Sequence, residues 1–449
     1  MRAVTSRTRS SLLGLAIALA LADSSVVTLA LPDVLRRYDV SITTVSWVLI
    51  AYNLVLAVTA VPAALLSRRR PVGVCAVGLV VFGAASLACG LAPSFGVLLA
   101  GRCVQALGGA LVVASALDLL STVCGSEERA AHVWARAGIL GAALGPAVGG
   151  ILTQVLGWES IFLVQAPLAL APLLALRSLR VRREARPAAG RPHIFANLAL
   201  LFGSAALSAA LFLLVILLVN GWNLSPAAAG IVATVMPAAA IVGSRFVGRI
   251  GSAAVRAAAG LVLIAGGLAA LGVLPHAGWA WTVLPQVLVG AGLGLTIGAL
   301  TLQALRGRSS QAVHGGWTIA SRHAGVVLGL LLLTPVFTAQ LDSNETEAKR
   351  AGAAILLDSH VPPLDKLRVA QDVLRTIDQA NGRLPDVRSA FRGRFEGDDG
   401  TEYRRVAGRL EDQLERAVTS AFSWPFLLAS TFALAGLAVV VVGRREVTL

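Results

Sequence analysis

Asp23 stands inside an apolar run that extends from Ser11 to Leu31. A lone carboxylate in such a run can take up and release a proton, attract a cation, or pair with a base. Arg102 is the base whose position matches, because it lies in another apolar run, 95–119. If each run crosses a hydrocarbon layer of roughly 30 Å, the two charges share one depth. At about 1.5 Å per helical residue, Asp23 lies roughly 18 Å from one side and Arg102 roughly 12 Å from the other. Pairing would spare both ions from facing lipid alone. A proton or substrate competing for Asp23 would then be a transport event. The same pair would also serve as a structural brace, and local bonds from Asp23 to Ser24 and Ser25 are a third reading. Gln105, Gln286 and Trp281 are candidate pocket residues. Helix–helix hydrogen bonds and an interfacial aromatic belt are their alternative roles.

These residues need elements long and apolar enough to hold them. Mean hydropathy is +0.76, with 56% apolar and 14% charged residues. Such values exclude a disordered chain and argue against an ordinary soluble enzyme. Twelve runs reach membrane-spanning length: 11–31, 43–66, 72–92, 95–119, 131–155, 159–176, 195–220, 225–247, 254–274, 278–304, 315–340 and 421–442. We number them helix 1 to helix 12. The fold class expected is an all-α polytopic membrane protein of two six-helix bundles. The domains expected are 1–176, a basic cytoplasmic linker at 177–194, and 195–449.

The net charge of +14 invites a nucleic-acid reading, but its placement argues against one. Arg2, Arg7 and Arg9 precede helix 1, and Arg68, Arg69 and Arg70 follow helix 2. Arg177, Arg180, Arg182, Arg183, Arg186 and Arg191 follow helix 6, and Arg306 and Arg308 follow helix 10. All of these fall on one side of a twelve-span chain. Three of the opposite short loops carry no charge; the first holds Arg36 and Arg37 beside Asp33 and Asp39. Arginine excess marks the cytoplasmic side, so both termini are expected inside a plasma (inner) membrane. Arg136 and Arg245 lie near helix ends, where arginine snorkels.

Ala-Leu-Ala at 18–20 imitates a signal-peptide cleavage site, but the apolar run resumes through Val26–Leu31, so a retained helix is expected. Cys75, Cys89, Cys103 and Cys124 show no disulfide framework and no metal-ligand spacing, so no metal or cofactor is expected.

An internal echo links the halves: Gln105-Ala-Leu-Gly-Gly-Ala-Leu in helix 4 and Val289-Gly-Ala-Gly-Leu-Gly-Leu six helices later. Repeated halves are a transporter trait. The segment 341–420 breaks the pattern, with 13 Lys+Arg and 15 Asp+Glu. Leu364, Leu367, Val373, Leu374 and Ile377 keep a helical period, with Asn381-Gly382 as a stop. Val406, Leu410, Leu414 and Val418 predict a helical stalk into helix 12. An insert this long is either a small subdomain with an extracytoplasmic protein or lipid partner, or a solvated cap with none.

Several motifs resemble the drug:proton antiporter branch of the major facilitator superfamily. Ala22-Asp23-Ser24-Ser25-Val26-Val27-Thr28 through Pro32 resembles its helix 1 signature. Arg102-Cys-Val-Gln105-Ala-Leu-Gly108-Gly109 looks like its helix 4 motif. Gly141-Ala-Ala-Leu-Gly145-Pro146-Ala-Val-Gly149-Gly150 is similar to its helix 5 antiporter motif, and Trp158-Glu-Ser-Ile-Phe162-Leu-Val-Gln-Ala-Pro167 follows it as in that branch. Ser321-Arg322-His323-Ala-Gly325 resembles a recurrent arginine segment. The resemblance implies an inner gate of Arg68, Asp118, Arg322 and His323, with Asp23 as proton site. One departure is plain. The loop after helix 2 usually reads Gly-x-x-x-Asp-Arg-x-Gly-Arg-Arg, but here the Asp position is Ser67 and the second Gly position is Arg70.

The function implied is proton-coupled export of a lipophilic or amphipathic small molecule by alternating access. The glycine face of helix 5 is expected to pack on the opposite bundle. The rivals are a transporter-derived receptor or envelope assembly factor using 341–420, and a membrane-embedded enzyme. The enzyme reading lacks any nucleophile–base or metal spacing. Orientation is directly testable. A cysteine replacing Asp378 should react with an impermeant maleimide in intact cells, and one replacing Arg182 only after lysis. The reverse labelling would invert the chain.

Overall fold

A computed structural model describes residues 5–177, 179, 181, 191–246, 250–273, 278–305, 311–379, 386–391 and 400–447. Arg180, Arg182, Arg183 and Arg186 of the linker, Arg306, Arg308 and the Asn381-Gly382 stop lie outside these residues. Among the described residues, twelve helices are long and apolar enough to cross a membrane. Helix 1 is Ser6–Thr28, helix 2 Ile42–Ser67, helix 3 Pro71–Gly90 and helix 4 Phe95–Cys124. Helix 5 is Glu127–Leu156, and helix 6 is Glu159–Leu170 continued by Leu173–Leu176. Helix 7 is Ile194–Ile216, ending in a π turn at Leu217–Gly221. Helix 8 is Pro226–Ala233 continued by Val235–Arg245, helix 9 Ala253–Val273 and helix 10 Val283–Leu305. Helix 11 is Gln311–Asp358 and helix 12 Ser423–Val447. We call the face bearing Ser6 and Ser67 the basic face, and the other the insert face.

Local chemistry sets the ends. Ser41, Ser94, Ser126 and Ser225 cap helices 2, 4, 5 and 8 by accepting from backbone N–H groups three residues on. Glu127 and Glu128 add negative charge to the first turn of helix 5. Gly125, at φ +67°, ends helix 4 in the left-handed region that glycine adopts freely.

Small residues set the packing. A Cβ on Gly108 of helix 4 would strike the Phe82 backbone of helix 3, and one on Gly292 of helix 10 would strike Gly260 and Ile264 of helix 9. These two glycines hold equivalent places in the sequence echo, so the repeat corresponds to one packing contact made in each half. Helix 5 corrects an expectation. Its Gly141, Gly145 and Gly149 face helix 1 of the same bundle, against Ala18, Ser25 and Val26. Gly150 alone of these four glycines meets the opposite bundle, at Pro226 and Gly230 of helix 8, and Gly230 in turn meets the carbonyl of Pro146. Ala227 N–H donates to Gln154 Oε1 across the same contact, at 3.0 Å. The other principal contact between bundles joins helices 2 and 11, where Gly316 lies against Ala60, Val61 and Ala64.

Helix 11 does not stop at the expected end near 340. It continues to Asp358 as one rod of 48 residues, about 72 Å at 1.5 Å per residue. Helices Pro363–Gln379 and Gly400–Ser420, with a 3-10 turn at Val387–Phe391, pack on it. The insert has its own core, including Leu356, Val369, Val373, Phe391, Tyr403, Leu410 and Leu414. Val406, Leu410, Leu414 and Val418 are buried, as the stalk requires. The other stripe is split: Leu364, Leu367 and Leu374 are exposed, while its Val373 points inward together with Val369. The side chain of Ile377 lies outside the described residues.

Gly145→Leu should lower the melting temperature of the purified protein in detergent, because overpacking a tight contact costs about 1–3 kcal/mol. Gly150→Leu should abolish disulfide cross-linking between cysteines placed at Gln154 and Ala227, and Gly145→Leu should preserve it. Loss of the cross-link in both variants would mean that the two glycines do not act in different contacts.

Candidate functional site: a buried ion pair and a cavity between the bundles

Asp23 and Arg102 meet. Asp23 Oδ2 lies 2.5 Å from Arg102 Nη1, with both side chains fully buried. The matching depths of helices 1 and 4 bring them together, and the first bundle surrounds them. Arg102 Nε donates to the carbonyl of Val48 at 3.2 Å, and Nη1 donates to Gln105 Oε1 at 2.5 Å. Gln105 Nε2 donates to Ser86 Oγ at 2.7 Å and to Gln165 Oε1 at 2.9 Å. The guanidinium lies over the Tyr52 ring at 4.2 Å and near Phe162 at 5.6 Å. Such contacts favour the cation where water is absent. Tyr52 donates its hydroxyl to the carbonyl of Ala20. The cluster is not fully satisfied: neither Asp23 oxygen accepts an aligned hydrogen bond, and Arg102 Nη2 has no partner among the described residues. The pair is held mainly by charge.

A cavity of about 180 Å³ opens beside this cluster, between the bundles. Helix 1 presents Leu21, Ser24, Ser25 and Thr28 to it, while Asp23 points away into the bundle. Helix 5 contributes Trp134, Gly138 and Ile139. Helices 7, 8, 10 and 11 supply Ser204, Leu207, Ser208, Met236, Leu293, Ile297, Thr301, Arg322 and His323, among others. Most of the wall is apolar, as ligand sites generally are. His323 Nδ1 lies 2.6 Å from Asn53 Oδ1, and Asn53 Nδ2 donates to Ser24 Oγ at 3.0 Å. This chain of bonds joins helix 11 to helices 2 and 1 across the cavity.

The pocket candidates need correction. Gln105 is buried inside the first bundle, on Arg102, and does not line the cavity. Gln286 donates to Thr282 one turn away, and Trp281 is exposed on the outer surface of the helices. Neither lines the cavity. Helix periodicity named faces without naming what they face. The four inner-gate residues do not form one cluster. At the basic face, Ser67 donates to Asp118 Oδ2 at 3.2 Å, with Arg68 near enough to act on Asp118 electrostatically. Ser67, at the position where the resembled loop carries Asp, thus still touches the helix 4 acid. Arg322 and His323 stand apart, on the cavity wall. Tyr52, Ser86, Gln165 and Asn53 escaped sequence reasoning. Only Gln165 carried a signal, inside the Trp158–Pro167 motif.

Comparison with known proteins gives this geometry a setting. The family model described as Major Facilitator Superfamily matches residues 13–333. The multidrug resistance protein Stp of Mycobacterium tuberculosis is 36% identical over 162 residues, which are 34% of this chain and 30% of that protein. The methylenomycin A resistance protein of Bacillus subtilis is 35% identical over 36% of each chain. The drug efflux pump JefA of Mycobacterium tuberculosis is 32% identical over 41% of this chain and 38% of its own. The aligned stretches thus span about a third of the length of these curated relatives. Among solved structures, a bacterial homolog of the human lysosomal transporter Spinster, inward-facing and unoccupied, aligns over 98% of both chains. It has a TM-score of 0.66 at 16% identity, a likeness of fold. This multi-pass membrane chain belongs to the Major Facilitator Superfamily.

Proposed function

We propose that the chain is a secondary active exporter of lipophilic or amphipathic small molecules, driven by protons and working by alternating access. The single observation that carries this reading is the position of Asp23 on helix 1. One side of that helix holds the carboxylate against Arg102, and the adjacent residues Ser24 and Ser25 line the cavity. A proton on Asp23 cancels its attraction for Arg102. Helix 1 is then freed to shift, and the cavity wall shifts with it. The drug-resistance and efflux functions named for the partial relatives support the cargo class. Arginine bias supports cytoplasmic termini and a plasma-membrane location. The domain division at 177–194, a basic linker, fits this scheme as the boundary between the bundles. Nothing in the reading calls for catalysis. The exposed leucines of the insert, Leu357, Leu364, Leu367 and Leu374, support a role for it in contacting a protein or lipid outside the membrane.

The test uses proteoliposomes and a pH-sensitive dye. Wild-type protein should move protons when cargo is added. Asp23→Asn should abolish that signal and leave counterflow exchange of cargo measurable. Arg102→Ala should lose about 3–5 kcal/mol of stability, because it leaves a buried carboxylate unpaired. The double variant Asp23→Asn/Arg102→Ala should lose less than the two singles added together. Wild-type coupling in Asp23→Asn would remove Asp23 from the proton path and leave it a brace.

A further inference from the structure

Each bundle carries an arginine in its interior, and the two are treated differently. Arg102 is neutralised by Asp23 and wrapped by Tyr52, Phe162 and Gln105. Arg322 lines the cavity and makes no hydrogen bond or ion pair to any described residue. No Asp or Glu among the described residues lines that cavity. The cavity therefore carries an uncompensated positive charge among its described residues. A guanidinium held in a membrane interior without a counter-charge is costly, and that cost is relieved when an anion or water meets it.

The surrounding polar groups point the same way. Thr301 Oγ1 is buried on the cavity wall with no partner among the described residues. Ser204 and Ser208, one turn apart on helix 7, line the same wall and make no side-chain hydrogen bond to a described residue. Hydroxyls can donate to an anion, and the planar guanidinium fork fits a carboxylate or phosphate edge. The opposite wall is different, since Asn53 and Ser24 are already engaged with His323 and with each other. Free donors thus gather on the side of the second bundle, beside an apolar wall that includes Leu207 and Leu293.

We infer that the cavity takes amphipathic anions: a carboxylate, phosphate or sulfonate head on Arg322, aided by Thr301, Ser204 and Ser208, with an apolar body along the leucine wall. This rests on the cavity being the cargo site of the proposed exporter, and it narrows that cargo to one sign of charge.

The test uses three dansyl probes on the same eleven-carbon chain, ending in a carboxylate, a primary amide or a trimethylammonium group. Binding is read by dansyl fluorescence to protein in nanodiscs of zwitterionic lipid. Wild-type protein should bind the carboxylate at least tenfold more tightly than either other probe. Arg322→Gln should weaken the carboxylate at least tenfold and leave the amide within twofold, so the amide also reports that the cavity is intact. Arg322→Lys should keep most of the preference, and Thr301→Val should weaken the carboxylate alone. Ammonium binding as tight as carboxylate, no binding of any probe, or an unchanged carboxylate affinity in Arg322→Gln would each overturn the inference. If Arg322→Gln loses all three probes, Arg322→Lys and Thr301→Val decide. Loss of the carboxylate preference in Arg322→Lys, or unchanged carboxylate binding in Thr301→Val, would then overturn it. Failure of the exporter reading looks different: the carboxylate binds, yet wild-type proteoliposomes move none of the three probes.

Discussion

A polar group in hydrocarbon has no water to bond to, so each must find its partner inside the protein. This constraint explains why the described spans are helical, since a helix satisfies its own backbone. It also explains the short side-chain bonds within helices, such as Ser86 to the carbonyl of Phe82 and Thr59 to that of Val55. The Asp23–Arg102 pair is the strongest expression of the rule, with a charge of each sign fully enclosed. Asn53, Ser24 and His323 obey it by bonding across the bundle boundary. Arg322 and Thr301 depart from the rule on a wall of the cavity, as the Thr153, Asn197, Gln286 and Thr334 side chains do elsewhere among the described residues.

Close approach of helices is the second requirement, and glycine meets it. Lipid is as apolar as leucine, so helices gain little by hiding apolar surface and must gain by contact instead. Gly141, Gly145 and Gly149 bring the backbone of helix 5 onto helix 1, which fixes the strip of helix 1 where Ser24 and Ser25 face the cavity. Gly150 and Gly230 do the same between bundles, on the insert face, and Gly316 does it near the basic face. The bundles therefore touch through small residues at the two principal contacts among the described residues.

Much of this was legible in the sequence. Apolar length alone located the spans, because hydrocarbon thickness is a hard requirement. The meeting of Asp23 with Arg102 followed from depth, since helical rise is fixed. What sequence could not supply was the neighbour of each face. The glycines of helix 5 announced close packing but not with helix 1. Gln105, Gln286 and Trp281 were polar or aromatic residues in apolar runs, yet their partners were an arginine, a threonine one turn away and the outer surface. In the insert, the apolar residues of helix Pro363–Gln379 are divided between its two sides. Packing against helix 11 and Gly400–Ser420 chose Val369 and Val373 over the larger leucines.

Helix 11 runs without a break from its apolar span into the charged segment and carries the insert on its far end. The returning helix Gly400–Ser420 is tied to it by Asn344, which donates to Ala417 and Ser420, and just beyond that helix Phe422 packs its ring on Phe337 at 4.4 Å. The insert is thus a mast bolted to the second bundle rather than a flag on a cord. A mast magnifies tilt. At about 30 Å from its base, a lean of about ten degrees displaces the tip by about 5 Å, using the rise of a rigid helix. Any tilt of helix 11 would thus be magnified at the tip of the insert.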